Sequence, residues 1–194
     1  MKIIHVWNPK GGQGKSMCTI NLAAATIELG KKVLVICQDP QGTTSLYAKY
    51  GSLPFEVVST IPTERPNVDV IFFDHQASDW EVPKGELLVM PLKPARDQYA
   101  TYKDASLRAE KQGKRIITIV TDGNQHRQSE VDITEALKKC GAFVIPSSGV
   151  FSRASDDYVS IFDSKLNRAY KVADRRREFL QIMTHILLEN AKAK

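Results

Sequence analysis

Apolar residues along this chain fall in short runs that are continuous rather than alternating. They are Ile3 to Trp7, Val33 to Cys37, Val68 to Phe73, Leu87 to Met90, Ile116 to Val120 and Ala142 to Ile145. Runs of this kind predict strands covered on both faces, as in a parallel sheet. Between most of them the period changes to that of a helix. Ser16 to Leu29 carries Ile20, Ala23, Ala24 and Ile27 at helical spacing and stops at Gly30. Tyr99 to Gln112 stops at Gly113, and a helix capped by Ser129, with Asp132 three residues on, stops at Gly141. A last helix is predicted from about Ala169 to Asn190. Residues 51–67, with Gly51, Pro54, Pro62 and Pro66, read as a loop with room for one short element. The alternation predicts an α/β fold with a single doubly wound, mostly parallel sheet flanked by helices. There are no repeats, low-complexity tracts or linkers, so residues 1–194 are expected to form one domain.

Composition narrows the class. Of 194 residues, 42% are hydrophobic and 25% charged, enough apolar material for a core and against disorder. The net charge of +5 permits binding to phosphate polymers without establishing it. Cys18, Cys37 and Cys140 show no metal-ligand spacing and suit a reducing cytoplasm. They also offer no pair of iron–sulfur ligands, which disfavours a nitrogenase-iron-protein role. No run is long enough for a membrane span, and the chain enters a strand directly without a secretory signal. The expectation is a soluble cytoplasmic protein.

The most informative segment is Asn8-Pro9-Lys10-Gly11-Gly12-Gln13-Gly14-Lys15-Ser16, between the first strand and the first helix. Glycines there let backbone N–H groups close around phosphate oxygens. Lys15 would reach the β and γ phosphates, and the Ser16 hydroxyl would ligate Mg²⁺. Pro9 stands where a standard phosphate loop has its first glycine, and Met17 where a dinucleotide fingerprint has its third. Two acidic positions follow strands. Asp39 opens Asp39-Pro40-Gln41-Gly42, and Asp74 ends Val70-Ile71-Phe72-Phe73.

Lys-Gly-Gly-x-Gly-Lys-Ser resembles the deviant Walker A loop of the ParA/MinD ATPases. The resemblance implies ATP or ADP bound by Lys10, Gly11, Gly12, Gln13, Gly14, Lys15, Ser16 and Met17. It implies that Lys10 is the signature lysine, reaching the nucleotide of a partner subunit as an arginine finger would. Asp39 falls on the second Asp of the family's switch I, where it would position the attacking water and help hold Mg²⁺ with Ser16. Asp74 falls on the Walker B carboxylate. Cys37 replaces the first switch I Asp, and His75 begins a switch II unlike the family's. Both departures fit a chain that binds ATP well and turns it over slowly without a partner. Met90 to Pro94 and Ile145-Pro146-Ser147 resemble later family segments, the second lining the adenine pocket through Pro146. The start of the chain just before the loop resembles the short ParA type.

The region from about residue 165 to 194 is basic and helical. Arg168, Lys171 and Arg175 are spaced for one helix face, and with Lys165, Arg176 and Arg153 they form the candidate DNA surface. Lys103 would add to that field. The apolar residues of the last helix are expected to pack on the sheet rather than lie on a membrane. What the resemblance implies is an ATPase that dimerises on ATP, binds nonspecific DNA and is released by a ParB-like centromere-binding adaptor. Such a protein would segregate a plasmid or mobile element and associate with the nucleoid in its ATP state. The alternatives are a positioning ATPase for a non-DNA cargo or membrane site, and a small-molecule ATP-dependent enzyme of the same superfamily.

Overall fold

The computed structural model describes residues 1–39 and 42–188. The seven strands are β1 (Lys2–Val6), β2 (Val33–Cys37), β3 (Glu56–Val58), β4 (Val70–Asp74), β5 (Leu87–Leu92), β6 (Arg115–Thr121) and β7 (Phe143–Ile145). They form one sheet in the order β3-β2-β4-β1-β5-β6-β7, and every pairing is parallel. The six helices are α1 (Lys15–Glu28), α2 (Thr43–Tyr50), α3 (Arg96–Lys111), α4 (Gln128–Lys139), α5 (Gly149–Asp156) and α6 (Val172–Leu188). The doubly wound parallel fold expected from the sequence is the one observed.

Both sheet faces are covered, which is why the strands read as continuous apolar runs. On one face Ile4, Val6, Val35, Phe72 and Val89 pack with Leu22 and Ala23 of α1 and with Phe179, Ile182, Met183 and Ile186 of α6. Most apolar residues of α6 thus pack on the sheet, as expected, while Leu188 at its end is exposed. Among the described residues no helix is long and apolar enough to cross a membrane. On the other face Trp7, Leu88, Met90 and Val120 pack with Tyr102, Ala105 and Ala109 of α3 and Leu137 of α4. The three-residue β3 lies inside the segment expected to be mostly loop, where it pairs with β2.

Several helix boundaries differ from the sequence reading: α3 begins at Arg96 rather than Tyr99, and α4 and α6 start elsewhere for clear local reasons. Ser129 does not cap α4; Arg127 holds the cap position, without a side-chain cap hydrogen bond. The buried Glu130 reaches back instead, accepting from the Asn124 N–H at 2.8 Å and from Arg127 Nη1 at 3.1 Å. That closes the preceding turn, and the helix starts two residues earlier. The last helix begins at Val172 rather than Ala169, because Lys171 takes a left-handed φ of 58° that a continuing helix forbids. Its expected end at Asn190 lies outside the described residues.

The connection from β4 to β5 carries no helix and lies directly on β1. Trp7 Nε1 donates to the Asp79 carbonyl at 2.9 Å, and His5 Nδ1 stands 2.9 Å from His75 Nε2. His5 stacks on Phe73 with ring centroids 4.6 Å apart. Burial, followed by the charges of His75 and Lys114, lowers the His5 pKa to about 4. A folded value below the unfolded one means that the unfolded chain binds the proton first as pH falls. The stabilisation is therefore complete above about pH 6.5 and is lost progressively toward pH 4. Urea unfolding across this window should show stability falling by roughly 2–3 kcal/mol through this group. His5→Asn should flatten that part of the pH profile.

Candidate functional site

The loop leaving β1 is shaped by its backbone. Asn8, fully buried, donates through Nδ2 to the Pro91 carbonyl at 2.9 Å and accepts from the Lys10 N–H at 3.0 Å. This ties the loop to the neighbouring β5. Gly14 caps α1 with φ 86°, a left-handed turn that a side chain would strain. The turn aims the unpaired N–H groups of the first helical turn back over the loop, where an anion would be held. Gln13 is buried, with Oε1 accepting from the Lys93 N–H at 3.0 Å and Nε2 facing Gln98. Thr121 Oγ1 donates to the Gln13 carbonyl at 3.1 Å. The loop is thus clamped from β1, β5 and β6.

Lys15 opens α1 and is buried, its ammonium donating to the carbonyls of Asn8 at 3.0 Å and Lys10 at 3.2 Å. Burial lowers its pKa against the opposing pull of Asp74, Asp39 and Asp79. Two uncharged carbonyls are weak partners for a buried cation, so the site favours an incoming anion. Asp74, at the end of β4, is also buried. Thr44 Oγ1 of α2 donates to Oδ2 at 2.6 Å, and Thr19 Oγ1 of α1 donates to Oδ1 at 3.2 Å. Burial raises the Asp74 pKa, while hydrogen bonds from Thr44, Ser16 and Thr19 and the charge of Lys15 oppose the rise. Hydroxyl and carboxylate oxygens from Ser16, Asp74 and Asp39 make a hard donor set that fits Mg²⁺.

Lys15, Ser16, Asp39 and Asp74 line one cleft of about 580 Å³ at the carboxyl ends of the strands, where doubly wound sheets bind ligands, with Thr44 and Thr19 behind Asp74. Gly12, Gln13, Gly14, Lys15, Ser16 and Met17 form one end, and Pro146, Ser147 and Phe151 the other. Asp39 and Asp74 face the same space, and so does Tyr47 of α2. Two expected members stand apart. Gly11 lies outside the lining, and Lys10 points away, its ammonium 2.7 Å from Asp97 Oδ2 of α3. After β2, the Cys37 thiol donates to the Asp39 carbonyl at 3.1 Å and accepts from Ser45 Oγ at 3.2 Å. Burial raises the Cys37 pKa, so a neutral thiol does the local tethering. Pro40 and Gln41 of that motif lie outside the described residues.

Sequence reasoning missed Thr44, Thr19 and Tyr47. Thr44 and Tyr47 sit on α2, a short helix without a marked apolar period, and Thr19 resembles any interior helical threonine. The basic region is the larger correction. Arg168 and Lys171 precede α6, so they share no helix face with Arg175. Arg175 is buried, and Arg176 is engaged by the carbonyls of Ile161 and Asp163. Arg153, Lys165, Arg168 and Lys171 remain exposed.

A family model described as an AAA domain matches residues 1–89. The chromosome partitioning protein ParA of Caulobacter vibrioides is 34% identical over 100 residues, covering 44% of this chain and 37% of that protein. This chain therefore spans well under half the length of that curated relative. A putative plasmid partition protein from Borrelia burgdorferi bound to AMPPNP superposes with a TM-score of 0.74 at 18% identity, covering 95% of this chain and 98% of that one. The septum site-determining protein MinD of Pyrococcus horikoshii, complexed with Mg-ADP, gives 0.72 at 17% identity, with 93% and 95% covered. The two structures speak for the fold alone, and the sequence likeness falls on the half that carries the glycine loop and both acids. This chain is thus similar to the ParA/MinD-type P-loop ATPases, in sequence over its first half and in fold over nearly its whole length.

Proposed function

We propose that this protein is a slow, partner-stimulated ATPase that dimerises on ATP and partitions DNA, such as a plasmid or mobile element. The observation that carries the nucleotide part is the convergence of a buried Lys15 and a hydroxyl-caged Asp74 on one cleft walled by the glycine loop. On ATP binding, the Lys15 ammonium exchanges two carbonyls for phosphate oxygens. Bound Mg²⁺ supplies positive charge to the phosphate oxygens. Ser16, Asp39 and Asp74 would hold that ion. Asp39 also orients the attacking water. Lys10 leaves Asp97 to reach the nucleotide of a second copy, an exchange of one exposed ion pair for a charge-assisted phosphate contact.

Closing two copies over two nucleotides doubles the exposed cations of Arg153, Lys165, Arg168 and Lys171, which links ATP state to DNA affinity. A ParB-like adaptor would then trigger hydrolysis and release. Retaining a relative's name for chromosome partitioning as a guide, DNA is the first cargo to test. One observation favours a second reading, a positioning ATPase with a non-DNA cargo. Arg175 and Arg176 are engaged within the fold, which thins the basic surface.

Retention on nonspecific duplex DNA should require ATP–Mg²⁺ or a slowly hydrolysed analogue, be absent with ADP, and fall steeply with salt. Lys15→Ala should abolish it by preventing nucleotide binding. Lys10→Ala should keep nucleotide binding and lose ATP-dependent dimerisation and DNA retention. Equal DNA binding in all nucleotide states would reject the switch, and no binding in any state would reject DNA as cargo.

A second outcome concerns Asp74 alone. Asp74→Asn should reduce the Mg²⁺-dependent gain in ATP affinity at least tenfold, read by titration calorimetry with and without the ion. Unaltered Mg²⁺ dependence would remove Asp74 from the metal site.

A further inference from the structure

Arg175 lies in the first turn of α6 and is only 7% exposed. Its Nη1 donates to the Pro146 carbonyl at 3.0 Å, and its Nη2 pairs with Glu178 Oε1 at 2.7 Å. Pro146 follows directly on β7 and begins the wall of the cleft opposite the glycine loop. Proline has no N–H, so this turn cannot be held by donating from Pro146 itself. The carbonyl is the handle, and a buried cation holds it.

The pairing with Glu178 does not by itself account for this placement. Arg175 Nε and Glu178 Oε2 are both buried without hydrogen-bond partners among the described residues. A guanidinium set only to satisfy a carboxylate would pair through two parallel bonds and leave neither atom stranded. Here the guanidinium is turned so that Nη1 meets Pro146, at the cost of two unsatisfied buried atoms.

The start of α6 is also fixed to the phosphate end of the site. Arg176 donates to the carbonyls of Ile161 at 2.7 Å and Asp163 at 2.9 Å. The Ile161 N–H in turn donates to Asn21 Oδ1 of α1 at 2.9 Å. Neighbouring arginines thereby connect the helix that follows the glycine loop to the far wall of the cleft. They set the separation between where phosphates anchor and where a base must lie.

We propose that Arg175 is a positioning residue for the base-binding wall, tuning affinity for the nucleoside part of an adenine nucleotide independently of its phosphates. The inference rests on the nucleotide reading above. The test compares Mg²⁺-dependent binding of ATP with that of inorganic tripolyphosphate, which offers phosphates and no base. Arg175→Met should weaken ATP about tenfold, the loss of one buried hydrogen bond, and leave tripolyphosphate within about twofold. Arg175→Lys should recover part of the loss, since an ammonium can still donate to the carbonyl. Pairing Arg175→Met with Glu178→Gln removes the stranded charge, keeps the measurement available if the single variant folds poorly, and should reproduce the selective loss. Parallel weakening of ATP and tripolyphosphate, or no change in ATP affinity, would overturn the assignment. A wild-type protein that bound tripolyphosphate as tightly as ATP would also overturn it. One that bound neither would instead remove the nucleotide reading on which it stands.

Discussion

The buried carboxylate of Asp74 is the constraint around which the rest of the site is arranged. A charge at the end of a central strand, shielded from water, must be met by donors or it will not stay ionised. The donors come from two helices that are distant in sequence: Ser16 and Thr19 on α1, and Thr44 on α2. Meeting them fixes the start of α1 against β4 and draws α2 over the end of the sheet. Lys15 supplies the balancing charge from the same turn of α1. The order β2-β4-β1 makes this possible, because it sets the ends of the two acid-bearing strands beside each other and next to the glycine loop.

The second organising feature is the use of arginine as structure. The region after α5 has little regular secondary structure before α6, so its carbonyls lack partners from a ladder. Arg176 gathers three of its oxygen acceptors, the carbonyls of Ile161 and Asp163 and the Asn167 side chain. A stretch that looks like a phosphate-binding stripe in one dimension is in part a set of internal clamps in three. The exposed cations that remain are spread over α5 and the turns before α6, a geometry for diffuse electrostatic attraction rather than for a helix lying along a groove.

The segments after β2 and β4 show how departures from the resembled motifs are absorbed. Cys37 takes over tethering of the Asp39 carbonyl with a neutral thiol, which adds no third charge beside Asp39 and Asp74. His75 joins buried His5 and half-buried Asp79 in a chain that seats the β4–β5 connection on β1. Neither side chain was assigned catalytic work from sequence, and both have a structural occupation here.

The sequence by itself determined the fold class, the glycine loop and the two acids. Strand burial leaves continuous apolar runs, and a phosphate loop needs glycines and a lysine at fixed spacing, so both are written locally. It also determined that α6 would face inward, since its apolar residues recur at helical spacing. Only the tertiary structure decided which hydroxyls cage Asp74, where Lys10 rests, and which basic residues are interior. Those outcomes depend on which carbonyls, carboxylates and hydroxyls from other elements lie within about 3 Å of a side chain. A linear pattern of charge does not distinguish an arginine in water from one that holds a loop together.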